Sequence, residues 1–238
     1  ERQIHFDSLF GPIMEWPPEA YADSQFPSLK SVTGVSVPKL PQHEPLWEIF
    51  KSGVERNLKH QISMLESAEI DLIDRSTLSQ TVTYDESNGK VMIERGALVG
   101  PSTHFVGPCF VGRGAIIRHG AYIRENSWIC STAVVGHCSE VKHSVLLPGA
   151  KAPHFNYVGD SILGKDVNLG AGVKLSNLRN DGQEVYLSMG GKKIASELRK
   201  FGAILGEGCQ LGCNAVTNPG TILGKNSVVS PNVTVTGV

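Results

Sequence analysis

The chain has 238 residues, enough for one or two domains with a proper core. Charged residues make up 19%, below the ordinary ~25%, while glycine numbers 26 and proline 13. Twenty-two Lys+Arg against 23 Asp+Glu leave a net charge of −1, which excludes a global field for nucleic acid or anionic membrane.

Residues 1–45 hold seven of the 13 prolines, including Pro17-Pro18, and read as an extended arm that wraps a neighbour. Residues 44–67 place Leu46, Phe50, Val54, Leu58, Ile62 and Leu65 at helical spacing, with Pro45 early. One amphipathic helix is expected there. With the linker strands it makes residues 46–90 a cap over the exposed edges of whatever follows. Residues 71–98 read as short strands with a turn at Ser87-Asn88-Gly89.

From Val99 a repeat takes over. Every sixth residue is apolar: Val99, Phe105, Val111, Ile117, Ile123, Ile129, Val135, Val141 and Leu147. After a phase slip the pattern resumes at Leu163, Leu169 and Leu175, and again from Leu205 through Leu211, Thr217, Leu223 and Val229 to Val235. Residues six apart lie about 240° apart around an α-helix, so no common helical face forms. An extended chain that turns a corner every six residues fits instead, three hexads closing a triangular coil. The expectation is a mainly β chain, with residues 91–238 a parallel β-helix of roughly six coils, preceded by a short arm and one α-helix. The five cysteines, an odd number without a C-x-x-C pair, point to reduced thiols, a cytoplasmic protein and no metal. No apolar run approaches the ~20 residues of a membrane span.

Two interruptions disturb the repeat. Pro153 stands where an inward aliphatic is due, and residues 176–203 leave the pattern as a loop excursion with a basic run. Around them the string GHCSEVKHSVLLPGAKAPHFNYVGDSILGKDVNLGAGVKLSNLRNDG, residues 136–182, resembles the acetyltransferase domain of bifunctional sugar-1-phosphate nucleotidylyltransferase/acetyltransferases, most of all the archaeal type. K-A-x-H-x-x-Y-x-G-D followed by N-x-G-A-G carries the likeness, which spans roughly residues 90–238. The resemblance implies a left-handed parallel β-helix, a homotrimer, acetyl-CoA as co-substrate and an amino-sugar phosphate or nucleotide-sugar as partner. It implies acetyl transfer to the amine of a glucosamine-1-phosphate-like sugar in sugar-nucleotide biosynthesis.

Site residues follow from the resemblance position by position. His154 matches the base that takes the proton of the attacking amine, and Asn177 an asparagine near the reacting centre. Arg124 and Lys142 match cations for the sugar's phosphate, while Tyr157 and Asn168 match hydrogen-bonding partners of the sugar. Ala171 and Cys213 match positions along the CoA path, where the family has a small serine in place of Cys213. The family's Gly-rich nucleotidyltransferase domain has no counterpart within residues 1–90, so no nucleotidyl transfer is expected of them. Two other readings compete. One is a non-catalytic sugar-nucleotide sensor or scaffold. The other is a gamma-carbonic-anhydrase-like metal site at His119, His137 and His143, with the first two stacked.

Overall fold

The structure is a computed structural model and describes residues 18–31, 37–54, 56–189 and 192–237. From Thr83 the chain winds through three parallel sheets of eight, seven and seven strands, each strand only two to four residues long. The first sheet runs from Thr83–Asp85 to Thr234–Val235, the second from Val91–Ile93 to Thr221–Leu223, and the third from Leu98–Val99 to Val228–Val229. This is a left-handed parallel β-helix of about eight coils, more than the six that the repeat implied, because strands also form ahead of it at Thr83–Asp85 and Val91–Ile93 and across its first interruption at Lys151–His154 and Tyr157–Gly159. Its interior is a column of buried aliphatics: Ile123, Val141 and Val158 from the first sheet, Ile129 and Leu163 from the second, Val135 and Leu169 from the third. Each such side chain contributes about 1.5–3 kcal/mol through burial.

Most corners hold a residue in the left-handed backbone region, and Asn126, Asn214 and Asn226 supply it at φ 59°, 57° and 59°. Bulkier residues take the same conformation at Cys138, His143 and Phe155, with φ of 48°, 45° and 53°. All three belong to the stretch that carries the motif. Such backbone costs of order 1–3 kcal/mol and persists where the surroundings over-determine it.

The expected inward Leu147 is corrected by the structure. Leu146 points into the column and Leu147 packs outside it. Val141 follows Ile123 by 18 residues in the sheet register, whereas Val158 follows Val141 by only 17. The lost residue lies in the corner at Lys142-His143-Ser144, and the next coil is shortened in the same corner at Gly159-Asp160-Ser161. Pro153 does not enter the core either, since Ala152 takes the inward place and Pro153 lies opposite Gly136 in an unshifted register. The excursion at 176–203 leaves from this corner one coil later. It is a β-hairpin, Tyr186–Met189 against Lys192–Ala195, anchored by buried Val185, Leu187, Leu198 and Phe201.

The single helix expected over 44–67 is two pieces, a 3₁₀ turn at Leu46–Phe50 and an α-helix at Leu58–Leu65. Gly53, at φ 82°, breaks the run, and the side chain of Asn57 caps the second piece by accepting from the His60 N–H at 2.8 Å. Nor does this segment cap an end. It lies along the outward side of the second sheet, where Met92, Phe110, Trp128, Val145, Ile162, Ile204 and Ile222 form an apolar ladder. Phe26, Trp47, Ile49, Phe50, Leu58 and Ile62 cover that ladder. The segment is pinned at one end by Ser28, whose backbone N–H donates to Glu207 at 2.9 Å. At the other end Glu66 accepts from the Lys90 N–H at 3.1 Å. The described part of the expected arm therefore covers its own chain. Residues 1–17 and 32–36 lie outside the described residues.

Candidate active site

The shortened corner stacks three segments, 142–143, 160 and 177, along one edge of the first sheet. Asp160 is their hub, its side chain only 3% exposed. One carboxylate oxygen accepts from His143 Nδ1 at 2.8 Å and the other from Asn177 Nδ2 at 2.5 Å. Lys142 Nζ stands 3.9 Å from the second oxygen. Burial alone would raise the Asp160 pKa, but the hydrogen bond and charge of His143, the Lys142 charge and the Asn177 amide outweigh it and hold the carboxyl below its ordinary value. Backbone bonds lock the hub as well: the Asp160 N–H donates to the Lys142 carbonyl at 3.0 Å, and the Asp160 carbonyl accepts from Gly202 at 2.9 Å.

Tyr157 lies on the outward side of the same sheet, in register with Glu140 and Lys174. A Cβ at Gly159 would stand 2.6 Å from the Tyr157 hydroxyl and 2.7 Å from Asn177 Nδ2. Glycine there is what lets phenol and amide meet over the strand. Burial and the Asp160 and Glu140 carboxylates raise the phenol pKa. Arg124 sits one coil before Lys142 and is engaged with its own chain, Nη1 at 2.9 Å from Glu140 and Nη2 at 3.4 Å from Glu125. Its Nε is buried without a hydrogen-bond partner among the described residues.

His154 lies at the opposite edge of this strip, at the end of a third-sheet strand paired with His137. Its ring is exposed and no hydrogen bond or ion pair holds it among the described residues. The His154 carbonyl accepts from Gly172, the Ala171 carbonyl from Asn214, and the Cys213 carbonyl from Asn232, so His154, Ala171 and Cys213 stack on successive coils. The Cys213 thiol is exposed. Asn168 lies nearby on the third sheet between Lys151 and Gln210. The sequence-predicted residues thus form two groups. Lys142, Tyr157 and Asn177 converge around Asp160, with Arg124 beside them. His154, Ala171, Cys213 and Asn168 line the other edge.

Asp160 stands within the quoted G-D but drew no role from the sequence. His143 drew the wrong one. His119 and His137 do stack, ring centroids 4.1 Å apart, but His143 faces away from them, bonded to Asp160 and met edge-on by Phe50 at 5.3 Å. The three imidazoles of the metal reading do not converge, and no group of three metal-binding side chains occurs among the described residues.

Residues 105–197 match the family described as GMPPB C-terminal domain, and residues 202–237 the bacterial transferase hexapeptide repeat. A bifunctional sugar-1-phosphate nucleotidylyltransferase/acetyltransferase of Sulfurisphaera tokodaii is 37% identical over 167 residues, 68% of this chain and 42% of that protein. The chain is a relative of these bifunctional proteins. The GlmU of Methanococcus vannielii is 40% identical over 144 residues, 60% of this chain and 34% of its own length. That of Desulfitobacterium hafniense is 31% identical over 161 residues, 61% and 33%. This hexapeptide-repeat chain therefore spans between a third and just over two-fifths of these relatives' own lengths. No helix among the described residues is long and apolar enough to cross a membrane.

Proposed function

We propose that this hexapeptide-repeat chain transfers an acetyl group from acetyl-CoA to the amine of an amino-sugar phosphate. The observation that carries the reading is the outward strip of the first sheet, where Lys142, Tyr157 and Asn177 converge on a buried carboxylate while His154 stands free at the facing edge. The kinship with sugar-1-phosphate nucleotidylyltransferase/acetyltransferases supports the same chemistry.

The sugar's phosphate meets Lys142 and Arg124, and to bind it Arg124 exchanges Glu140 for the phosphate, a stronger bidentate acceptor. Tyr157 and Asn168 hold the sugar's hydroxyls. The sugar nitrogen attacks the thioester carbonyl carbon, the C–S bond breaks, and CoA leaves as thiolate. The proton shed by the nitrogen passes to a ring nitrogen of His154, which no hydrogen bond or ion pair occupies among the described residues. Ala171 and Cys213, stacked beside His154, line the path of the CoA arm. The chain works as a cytoplasmic homotrimer in this reading.

The deciding assay mixes the purified chain with glucosamine-1-phosphate and acetyl-CoA and follows free thiol together with the N-acetylated sugar. Stoichiometric release of both is expected. Sugar binding by calorimetry with no thiol release would instead make the chain a sensor.

A further inference from the structure

Acetyl transfer as read above assigns nothing to Asp160, yet this side chain is the most deeply buried ionised group at the site and touches three others. A carboxylate withdrawn from water stays charged only when its oxygens are fully paired. Here the pairing comes from separate coils, His143 on one oxygen, Asn177 on the other, with Lys142 beside the second. We propose that Asp160 is the positioning residue of this site, setting the orientation of the Asn177 carboxamide and holding the Lys142 ammonium toward a bound amino-sugar phosphate. The proposal rests on the acetyl-transfer reading for its substrate but not for its geometry.

The reason is chemical. An ionised carboxylate only accepts hydrogen bonds, so it admits the Asn177 amide nitrogen and rejects the amide oxygen. One Nδ2 proton is committed to Asp160. The other faces the Tyr157 phenol, so Oδ1 is left in a fixed sense for a substrate lying over Gly159. The carboxylate cannot turn, because His143 holds its far oxygen and Phe50 of the N-terminal segment packs edge-on against that imidazole. Phe50 in turn lies 6.2 Å from Phe201, whose N–H donates to the Asn177 carbonyl at 2.8 Å. The covering segment therefore buttresses both partners of Asp160. The one-residue shortening of two successive corners is what stacks Asp160 over His143.

The test is Asp160→Asn, which keeps the size but offers a donor as well as an acceptor, so the Asn177 amide loses its fixed sense. We expect kcat to fall about 100-fold, the effect of a misplacement of about 1 Å at a reacting centre. The melting temperature should change by far less than loss of the fold would require. Asn177→Ala combined with Asp160→Asn should have the kcat of Asn177→Ala alone, since the effect of Asp160 on the chemical step passes through Asn177, while its hold on Lys142 is read in KM for the sugar phosphate. An unchanged kcat, or a double variant slowed by the product of both single effects, overturns the proposal. If Asp160→Asn fails to fold, or if the unmodified protein acetylates no amino sugar, the side-chain amide resonance of Asn177 decides on its own. Assigned by its loss in Asn177→Ala, that signal should exchange slowly with solvent in the unmodified protein. Fast exchange refutes the positioning role, while slow exchange without turnover refutes only the acetyl-transfer reading.

Discussion

At the scale of single residues, the two edges of the strip should answer mutation differently. His154 is exposed and contributes nothing to the interior column, so His154→Ala should cost little stability. As a general base it should be worth about 10²–10⁴-fold in kcat with little change in KM, measured in steady state against the amino-sugar phosphate. Arg124→Ala should instead raise KM for the phosphorylated sugar, because a phosphate contact is made before and during reaction alike. Asp160 supplies the pH signature. Its folded pKa lies below the ordinary ~3.9, so the unfolded chain takes up its proton first as pH falls. The stability it contributes is complete above that ordinary value and is lost as pH drops through the lowered one. Urea midpoints of the unmodified protein and Asp160→Asn should therefore differ at neutral pH and draw together on acidification below about pH 4.

Among the elements, the covering segment and the strand Lys151–His154 carry the unusual packing. Trp47 is 1% exposed against the outward ladder of the second sheet and meets Phe201 at 5.9 Å. Trp47→Ala should cost about 3–5 kcal/mol in urea unfolding, the range for removing a buried large aromatic. Because Phe50 on the same turn supports His143, activity at moderate urea should fail before the β-helix melts. The close approach of Pro153 to Gly136 sets a second test. A Cβ on Gly136 would overlap the Pro153 carbonyl, whereas nothing lies within 4 Å of a Cβ on Gly224. Gly136→Ala should therefore destabilise by about 1–3 kcal/mol or more and Gly224→Ala hardly at all, read from the same denaturation curves.

The whole molecule is a column whose three outer faces differ. Its second face is covered by the N-terminal segment and the excursion hairpin, which leaves the first and third for the subunit contacts of the proposed homotrimer. The proposed active strip lies on the first face and its His154 edge adjoins the third. Subunit contacts in the proposed homotrimer therefore border the site. Light scattering should return three times the 25.6 kDa of one chain, and a monomer at micromolar concentration would count against the assembly.

The β-helix itself was written in the sequence, because burying one aliphatic per flat face imposes a six-residue period that survives without knowledge of any partner. The motif likewise marked Lys142, His154, Tyr157 and Asn177 one by one. A further signal was present but unread: Val91-Met92-Ile93, Cys109-Phe110-Val111 and Ala203-Ile204-Leu205 are apolar on both sides, as strands buried on both faces must be. That signal says a face is covered without saying by what. Only the tertiary structure decided that the N-terminal segment covers it and that Gly53 splits the helix there. Only the structure, too, showed that two corners are one residue short and so stack Asp160 on His143. A shortened corner shifts the hexad by a single residue, which in sequence is a lost phase, and in space brings a buried carboxylate between two coils.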